Sequence, residues 1–152
     1  MLIIVSACLA GIQCKYNGTY NTVEKLKKMV DESRAIAVCP EILGGGCVPR
    51  EPNEIEGGDG KDVLLGRAKV VAPGGKDKTK MFLEGALKVL EIARQNNIRL
   101  AVLKERSPSC GSSHIYDGTF SGRKISGMGV TAALLHKNGI KVVSEENYND
   151  YI

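Results

Sequence analysis

Short runs of apolar residues recur along the chain, separated by segments in which apolar and polar residues alternate with helical spacing. The runs are rich in valine and isoleucine, a composition that favours strands buried on both faces. Five strands are predicted from these runs, at residues 2–5, 35–38, 69–71, 100–103 and 140–143.

Helical patterns lie between these strands. Residues 22–32 follow Asn21, which is a candidate N-cap for a first helix. Residues 78–95 carry apolar side chains at helical spacing and predict a second helix. Residues 129–137 predict a third helix, which ends before Asn138 and Gly139, a typical helix stop.

The alternation of strands and helices predicts a three-layer α/β fold, with a mostly parallel sheet of about five strands and helices on both faces. Residues 44–75 are rich in glycine and proline and predict a long irregular excursion, of a kind that is usually functional. A length of 152 residues is most economically a single domain, spanning residues 1–152.

Composition and charge narrow the function classes. The net charge of +4 is mild and comes without a long Lys/Arg run, so we expect neither a nucleic-acid nor a membrane-surface partner. No apolar run approaches the ~20 residues that span a bilayer, and the apolar N-terminus lacks the basic flank of a signal peptide. We therefore expect a cytoplasmic protein, in which five cysteines indicate metal binding or catalysis rather than disulfides.

The cysteines follow the predicted strands. Cys8 comes after the first strand, Cys39 directly after the second, and Cys110 lies in the loop after the fourth. In an open parallel sheet, ligands bind beyond the carboxyl ends of the strands, so these three thiols could converge at one edge. A buried structural role would explain any one of them. It explains less well that all five cysteines fall outside the apolar runs.

Three chemistries suit such thiols. Zinc takes four N/S ligands, or three and a water, although the usual C-x-x-C pair is absent here. An iron–sulfur cluster held by three thiolates would keep one iron open as a Lewis acid with affinity for sulfur. A cysteine nucleophile needs a base or a lowered pKa, and His114 is the nearest candidate partner of Cys110. His136, on the third helix, is expected at the surface.

The sequence resembles the TudS-like thiouracil desulfidase family, small bacterial and archaeal proteins long grouped as a domain of unknown function. The resemblance lies in segments that run in family order across nearly the whole chain: VSACLAG and CKYNG, CPEILGG and PR, FLEGA, LKERSPSCGS, YDGTFSG, GMGVTAALL and NGI.

This resemblance implies a Rossmann-like domain that holds a [4Fe-4S] cluster through Cys8, Cys39 and Cys110. It implies that the fourth iron binds the sulfur of a thiolated pyrimidine, such as 2- or 4-thiouracil as base or nucleotide. Water would replace this sulfur to give uracil and hydrogen sulfide. Glu41 and a serine of the SPSC segment, with Ser107 preferred to Ser109, resemble the catalytic polar groups of the family.

Several points stay open at the level of sequence. Cys47 could be a fourth ligand that closes the cluster, a disulfide partner or incidental, and Cys14 is expected beside the ligands. Arg50, Arg106 and Lys104 could offset the charge of a cluster or bind a phosphate. The glycines before the third helix could free its first N–H groups to face a ligand. The oligomeric state is undetermined.

Two other functions compete with the desulfidase. One is a protein that binds a metal, cluster or persulfide through the same thiols without desulfidase activity. The other is a metal-free enzyme with Cys110 as its nucleophile. Placing thiols after three different strands favours the cluster over a nucleophile, which needs only one thiol.

Overall fold

The computed structural model describes residues 1–18 and 21–152 of the chain. In chain order, its strands and α-helices are β1 (Ile3–Ser6), α1 (Glu24–Asp31), β2 (Ala35–Val38), α2 (Pro40–Leu43), β3 (Glu54–Glu56), α3 (Gly60–Leu64), β4 (Lys69–Val71), α4 (Thr79–Gln95), β5 (Leu100–Leu103), β6 (His114–Tyr116), β7 (Lys124–Ser126), α5 (Val130–Lys137) and β8 (Lys141–Ser144). Short 3₁₀ turns cover Ala7–Ala10 and Tyr148–Asp150.

A four-stranded parallel sheet in the order β2-β1-β5-β8 forms the centre of the fold. Ser6 pairs in register with Val38, and Val5 pairs with Val102, so β1, β2 and β5 end at nearly the same level. Residues of β1 and β5 are fully buried, as expected for strands covered on both faces.

Helices cover both faces of this sheet and make three layers. On one face, Leu26 and Met29 of α1 pack against Ile3 and Val5 of β1. On the other face, residues of α4 and α5 pack against Ile4, and the two helices also contact each other. The predicted fold class is therefore confirmed, with helices on opposite sides of a parallel sheet.

The fifth predicted strand lies elsewhere. Lys69–Val71 is a strand, but it pairs antiparallel with β3 in a separate two-stranded sheet, and the main sheet has four strands. A third, two-stranded sheet joins β6 and β7. Residues 44–75 are therefore more ordered than predicted, because they contain β3, α3 and β4. Ile55 and Val70 of this segment bury their side chains against Phe82 of α4 in a core of their own.

Helix ends differ from the predictions by one or two residues, which is the usual uncertainty for element boundaries. The first helix begins at Glu24 with Val23 at the N-cap position, and its cap makes no side-chain hydrogen bond, so the predicted Asn21 cap is wrong. Helix α3 has a full capping box, in which Asp59 and Asp62 each accept a backbone N–H.

A close contact between α2 and α4 fixes the segment that follows Cys39. A methyl group added at Gly85 of α4 would overlap the carbonyl oxygen of Pro40, and one added at Gly44 would overlap the carbonyl oxygen of Met81. The two helix backbones can touch only because both positions are glycine. This contact holds Pro40 and Glu41 at the edge of the sheet.

None of the helices in the described part of the chain is long and apolar enough to cross a membrane.

We expect Gly85→Ala to destabilise the protein by about 2 kcal/mol, because α2 must move away from α4. Helix propensity alone predicts the opposite sign, since alanine is favoured over glycine in a helix by about 1 kcal/mol. Urea denaturation of both proteins measures the difference. The control is Leu87→Ala on the exposed side of the same helix, where Leu87 is 58% exposed and the change should stay within about 0.5 kcal/mol. A Gly85→Ala protein more stable than the wild type would contradict the contact.

Candidate active site

A cavity of about 450 Å³ opens at the carboxyl edge of the parallel sheet. Cys8, Cys39 and Cys110 all line it, together with Cys14. The three thiols predicted to converge from three strand ends are therefore brought to one cavity, as the rule for ligand sites in open α/β sheets predicts.

Each of the three thiols reaches the cavity by a different local structure. Cys8 lies in the 3₁₀ turn that continues β1, and Cys39 is the N-cap residue between β2 and α2. Cys110 lies in the loop after β5. Cys8 and Cys110 are buried, while Cys39 is half-buried, so these thiols form the inner wall of the cavity.

Three of the thiols that line the cavity, Cys14, Cys39 and Cys110, have raised pKa values. Burial raises the pKa of Cys110 to about 12, although hydrogen bonds from Ser6 and Ser109 lower it. For Cys14, a hydrogen bond with Cys39 lowers the pKa, but a bond with Cys8 and burial raise it to about 11. The bond with Cys14 and burial also raise the pKa of Cys39. A cysteine nucleophile needs the reverse shift, whereas metal ions deprotonate their thiol ligands on binding.

Glu41 is held by an ion pair inside the cavity wall. The guanidinium Nε of Arg50 lies 3.1 Å from Glu41 Oε1, and the two side chains are only 8% and 15% exposed. Arg50 also donates to the carbonyl oxygens of Cys14 and Cys47, both at 3.0 Å. From the sequence, Arg50 could offset the charge of a cluster or bind a phosphate. In the structure it orients Glu41 and connects the loops around the thiols.

Two serines extend the hydrogen-bond network of Arg50 and Glu41 toward Cys110. Ser109 Oγ lies 3.3 Å from Glu41 Oε2, 3.0 Å from Ser107 Oγ and 3.6 Å from Cys110 Sγ. Ser107 Oγ in addition accepts the backbone N–H groups of Ser109 and Cys110, at 3.2 and 3.1 Å. Ser107 therefore shapes the turn, while Ser109 makes the direct contact with Glu41. The catalytic role of either serine stays a prediction.

A buried carboxylate holds the loop that carries these residues. Glu105, 4% exposed, accepts four backbone N–H groups at Oε1 and the Ser112 hydroxyl at Oε2. The four donors are Arg106, Ser112, Ser113 and His114. Burial would raise the pKa of Glu105, but these hydrogen bonds outweigh it and hold the pKa below its usual value. Sequence reasoning missed this residue.

The start of α5 caps the same loop and is not free for a ligand. The N–H groups of Gly129, Val130 and Thr131 each donate at 2.8 Å, to the carbonyl oxygens of Gly111, Pro108 and Ser109 respectively. A methyl group at Gly129 would lie 2.5 Å from the Ser109 carbonyl carbon, so glycine permits this close approach. The idea that these N–H groups face a ligand is therefore wrong.

The remaining candidates lie apart from the inner wall. Lys104 and Arg106 line the cavity, but they pair with Glu145 and Glu146 at 2.9 and 2.8 Å. Cys47 is exposed and donates its thiol to the Pro49 carbonyl oxygen at 3.3 Å.

Both histidines are exposed, so His114 is not the buried partner that a Cys110 nucleophile would need. Within residues 1–18 and 21–152, no three His, Cys, Asp or Glu side chains are arranged to hold a single metal ion.

The cavity thus combines an inner wall of thiols with a carboxylate and a hydroxyl in contact. Such an arrangement can anchor a cluster through sulfur and move a proton at the Glu41–Ser109 pair.

Comparisons with known proteins find a family model and two similar proteins. The sequence model of the 2-thiouracil desulfurase family matches residues 3–147. YbbK of Bacillus subtilis (strain 168), described as an uncharacterized protein, is 54% identical over 151 residues, covering 99% of this chain and all of YbbK. The solved structure of TudS (DUF523Vcz), described as a [4Fe-4S]-dependent thiouracil desulfidase, is similar with a TM-score of 0.86 and 41% identity. The match covers 97% of this chain and 93% of TudS.

We expect Glu105→Gln to lower the free energy of unfolding at pH 7 by about 2 kcal/mol, because a charged acceptor of several backbone N–H groups is lost. The folded-state pKa of Glu105 is lower than its unfolded value. Its contribution is therefore present above the unfolded pKa and disappears as the pH falls through the folded pKa. Denaturation at several pH values should show the two proteins converging as the pH is lowered below about 4.

Glu56→Gln, at an exposed position of β3, is the matched control and should change little. A stability difference for Glu105→Gln that stays constant from neutral to acidic pH would contradict this role of the carboxylate.

Proposed function

Because the chain belongs to the 2-thiouracil desulfurase family, we propose that it is a [4Fe-4S]-dependent thiouracil desulfidase. It replaces the sulfur of a thiolated pyrimidine by the oxygen of water, giving uracil and hydrogen sulfide. The carbon keeps its oxidation state, so no electron donor or acceptor is required. The observation that carries the proposal is the convergence of three strand-end thiols with Glu41 in one cavity.

The donor set fits an iron–sulfur cluster. Cys8, Cys39 and Cys110 would supply three thiolates from one wall, and thiolates are the usual ligands of such clusters. When bound, a cluster with three protein ligands supplies an open, Lewis-acidic iron that prefers sulfur. Cys47 is exposed and held toward Pro49, which supports ligation by three thiolates rather than four. Cys14 lines the same cavity, and in this proposal it lies beside the ligands without binding iron.

The side chains of the wall supply the proton transfers. Glu41 accepts a proton from the attacking water. Its carboxylate stays oriented because Arg50 donates a hydrogen bond to Oε1, while Oε2 contacts Ser109. Ser109 bridges Glu41 and the thiol wall, so it orients the water or the ring between them. Ser107 holds Ser109 and Cys110 in place through its hydrogen bonds to their N–H groups.

The charge around the cavity favours a base over a nucleotide. Lys104 and Arg106 are already neutralised by Glu145 and Glu146. A cavity of about 450 Å³ lies at the small end of the range for ligand sites. We also place the protein in the reducing cytoplasm, because all five cysteines are free thiols.

The two competing functions have less support. A metal-free nucleophile would need a lowered pKa at Cys110, and burial raises it. A carrier of a cluster or persulfide would not need Glu41 and Ser109 in contact beside the thiols.

The proposal is tested by anaerobic purification and cluster reconstitution, followed by incubation with 2- and 4-thiouracil. Stoichiometric release of sulfide and uracil supports it. A protein that binds iron and sulfide but releases neither product would be the carrier, and release that survives iron chelation would indicate the nucleophile.

We expect Cys8→Ser, Cys39→Ser and Cys110→Ser each to lose most of the bound iron and all measurable sulfide release, because a hydroxyl is a poor replacement for a thiolate ligand. Cys47→Ser is the matched control and should keep both. Iron and acid-labile sulfide analysis after reconstitution measures ligation independently of turnover. If Cys47→Ser lost its iron while Cys8→Ser kept it, the ligand assignment would be wrong.

We expect Glu41→Gln to lower kcat by about 10²- to 10⁴-fold while iron content stays at the wild-type level, since a proton acceptor is removed and no thiol is touched. The control is Glu51→Gln, because Glu51 is an exposed glutamate in the loop between α2 and β3. The rate of sulfide release at saturating thiouracil gives kcat, and the absorption spectrum reports the cluster. An unchanged kcat would remove Glu41 from the mechanism.

A further inference from the structure

The mouth of the cavity is aromatic, in contrast to its inner wall. The chain has only seven aromatic residues, two Phe and five Tyr. Six of them fall within residues 1–18 and 21–152, and three of these six line the cavity: Tyr16, Tyr116 and Phe120. Tyr16 is 40% exposed and Phe120 is 36% exposed, whereas the thiols of the inner wall are mostly buried. The cavity is therefore lined by aromatic rings at its mouth and by thiols and a carboxylate at its inner end.

Phe120 lies at the tip of the hairpin formed by β6 and β7. Tyr116 pairs with Lys124 at the end of the ladder, and the Asp117 N–H donates to the Arg123 carbonyl oxygen at 3.0 Å. The chain then turns, with Phe120 at a φ of 57° in the left-handed region. A bulky L residue is rarely found in this conformation, and such strain is retained where the surroundings impose it, often at ligand sites.

A carboxylate from a different sheet imposes this conformation. Glu54 of β3 accepts the N–H groups of Gly118 and Phe120 at Oε1, at 3.0 and 3.2 Å. The N–H of Thr119 is held by Asp117 at 2.9 Å. Glu54 also lines the cavity, so the side chain that fixes the tip lies beside the space that the tip borders. The hairpin tip is thus fastened across the cavity mouth rather than left as a free turn.

We propose that Phe120 is the stacking platform for the pyrimidine ring and that Glu54 is the positioning residue that holds it there. This inference rests on the proposed function and adds the residue that recognises the ring. The thiolated edge enters first toward the thiol wall, and the flat face of the ring packs on the phenyl group at the mouth. An aromatic ring suits this task because every pyrimidine presents a π-face, whichever carbon carries the sulfur.

The expected effect follows from base stacking in proteins. Removing an aromatic platform weakens base binding by roughly 5- to 100-fold. We expect Phe120→Ala to raise KM for 2-thiouracil within that range and to change kcat less, with iron content unaltered. Phe120→Tyr keeps the ring and should stay near the wild type. Phe120→Leu keeps the apolar surface without the ring and should resemble Phe120→Ala.

Glu54 is tested through its dependence on Phe120. Glu54→Ala should raise KM by releasing the tip. In the Phe120→Ala background it should add little further loss, because there is no ring left to position. Full and independent losses from both substitutions would overturn the positioning role of Glu54. Circular dichroism and thermal unfolding confirm that each variant is folded before it is compared.

A binding measurement separates this inference from the proposed reaction. The chain contains no tryptophan, so Phe120→Trp creates a single fluorescent reporter that keeps an aromatic ring at the mouth. Uracil, the product, should change its emission in the reconstituted enzyme. Tyr151→Trp is the matched control, because Tyr151 is similarly exposed at 43% but is not among the residues that line the cavity. Calorimetric titration with uracil provides the affinities of the wild type and Phe120→Ala.

The outcomes are distinct. Sulfide release with equal KM and equal uracil affinity in the wild type, Phe120→Ala and Phe120→Leu would overturn the stacking inference and leave the reaction intact. Uracil binding that depends on Phe120, without any sulfide release, would overturn the reaction and leave the stacking inference intact. A wild-type protein that binds neither uracil nor thiouracil would overturn both.

Discussion

The parallel register of β1 with its neighbours β2 and β5 is the constraint on which the site depends. Because Ser6 pairs with Val38 and Val5 with Val102, the three strands end at one level of the sheet. The residues that follow must then share one edge, whatever their distance in sequence. A shift of one strand by a single residue would exchange its side chains between the two cores on opposite faces, so close packing in both cores protects this register.

Register alone places Cys39 and Cys8, which follow their strands closely, but Cys110 needs a loop that returns to the edge. Hydrogen bonds, rather than buried apolar side chains, hold this loop at the edge of the sheet. The Glu105 carboxylate accepts backbone N–H groups on one side of the loop. On the other side, N–H groups at the start of α5 donate to the carbonyl oxygens of the loop. Each partner would be unsatisfied without the other, and unsatisfied buried groups are costly, so loop and helix hold each other in place.

The sequence predicts the buried parallel strands and the thiols well, but it predicts strand pairing and the roles of several polar residues poorly. Strands 35–38 and 100–103 were predicted at their observed bounds, since buried parallel strands are continuous apolar runs. Lys69–Val71 shows the limit of that signal, because an apolar run does not reveal which strand it pairs with. The thiols and Glu41 could be found from strand ends and family resemblance. The roles of Glu105, Arg50 and Glu54 could not, because each depends on backbone groups brought near by tertiary folding.

The buried Arg50–Glu41 pair shows how the site is organised for chemistry rather than stability. Removing two charges from water costs about as much as their attraction returns, so such a pair is weak evidence of stabilisation. Its hydrogen bonds explain it better. The two terminal nitrogens of Arg50 donate to the carbonyl oxygens of Cys14 and Cys47. Arg50 thereby connects the loops that carry these cysteines to the carboxylate of Glu41. The second oxygen of Glu41 contacts Ser109, so the carboxylate is oriented by a cation on one side and directed at the cavity on the other.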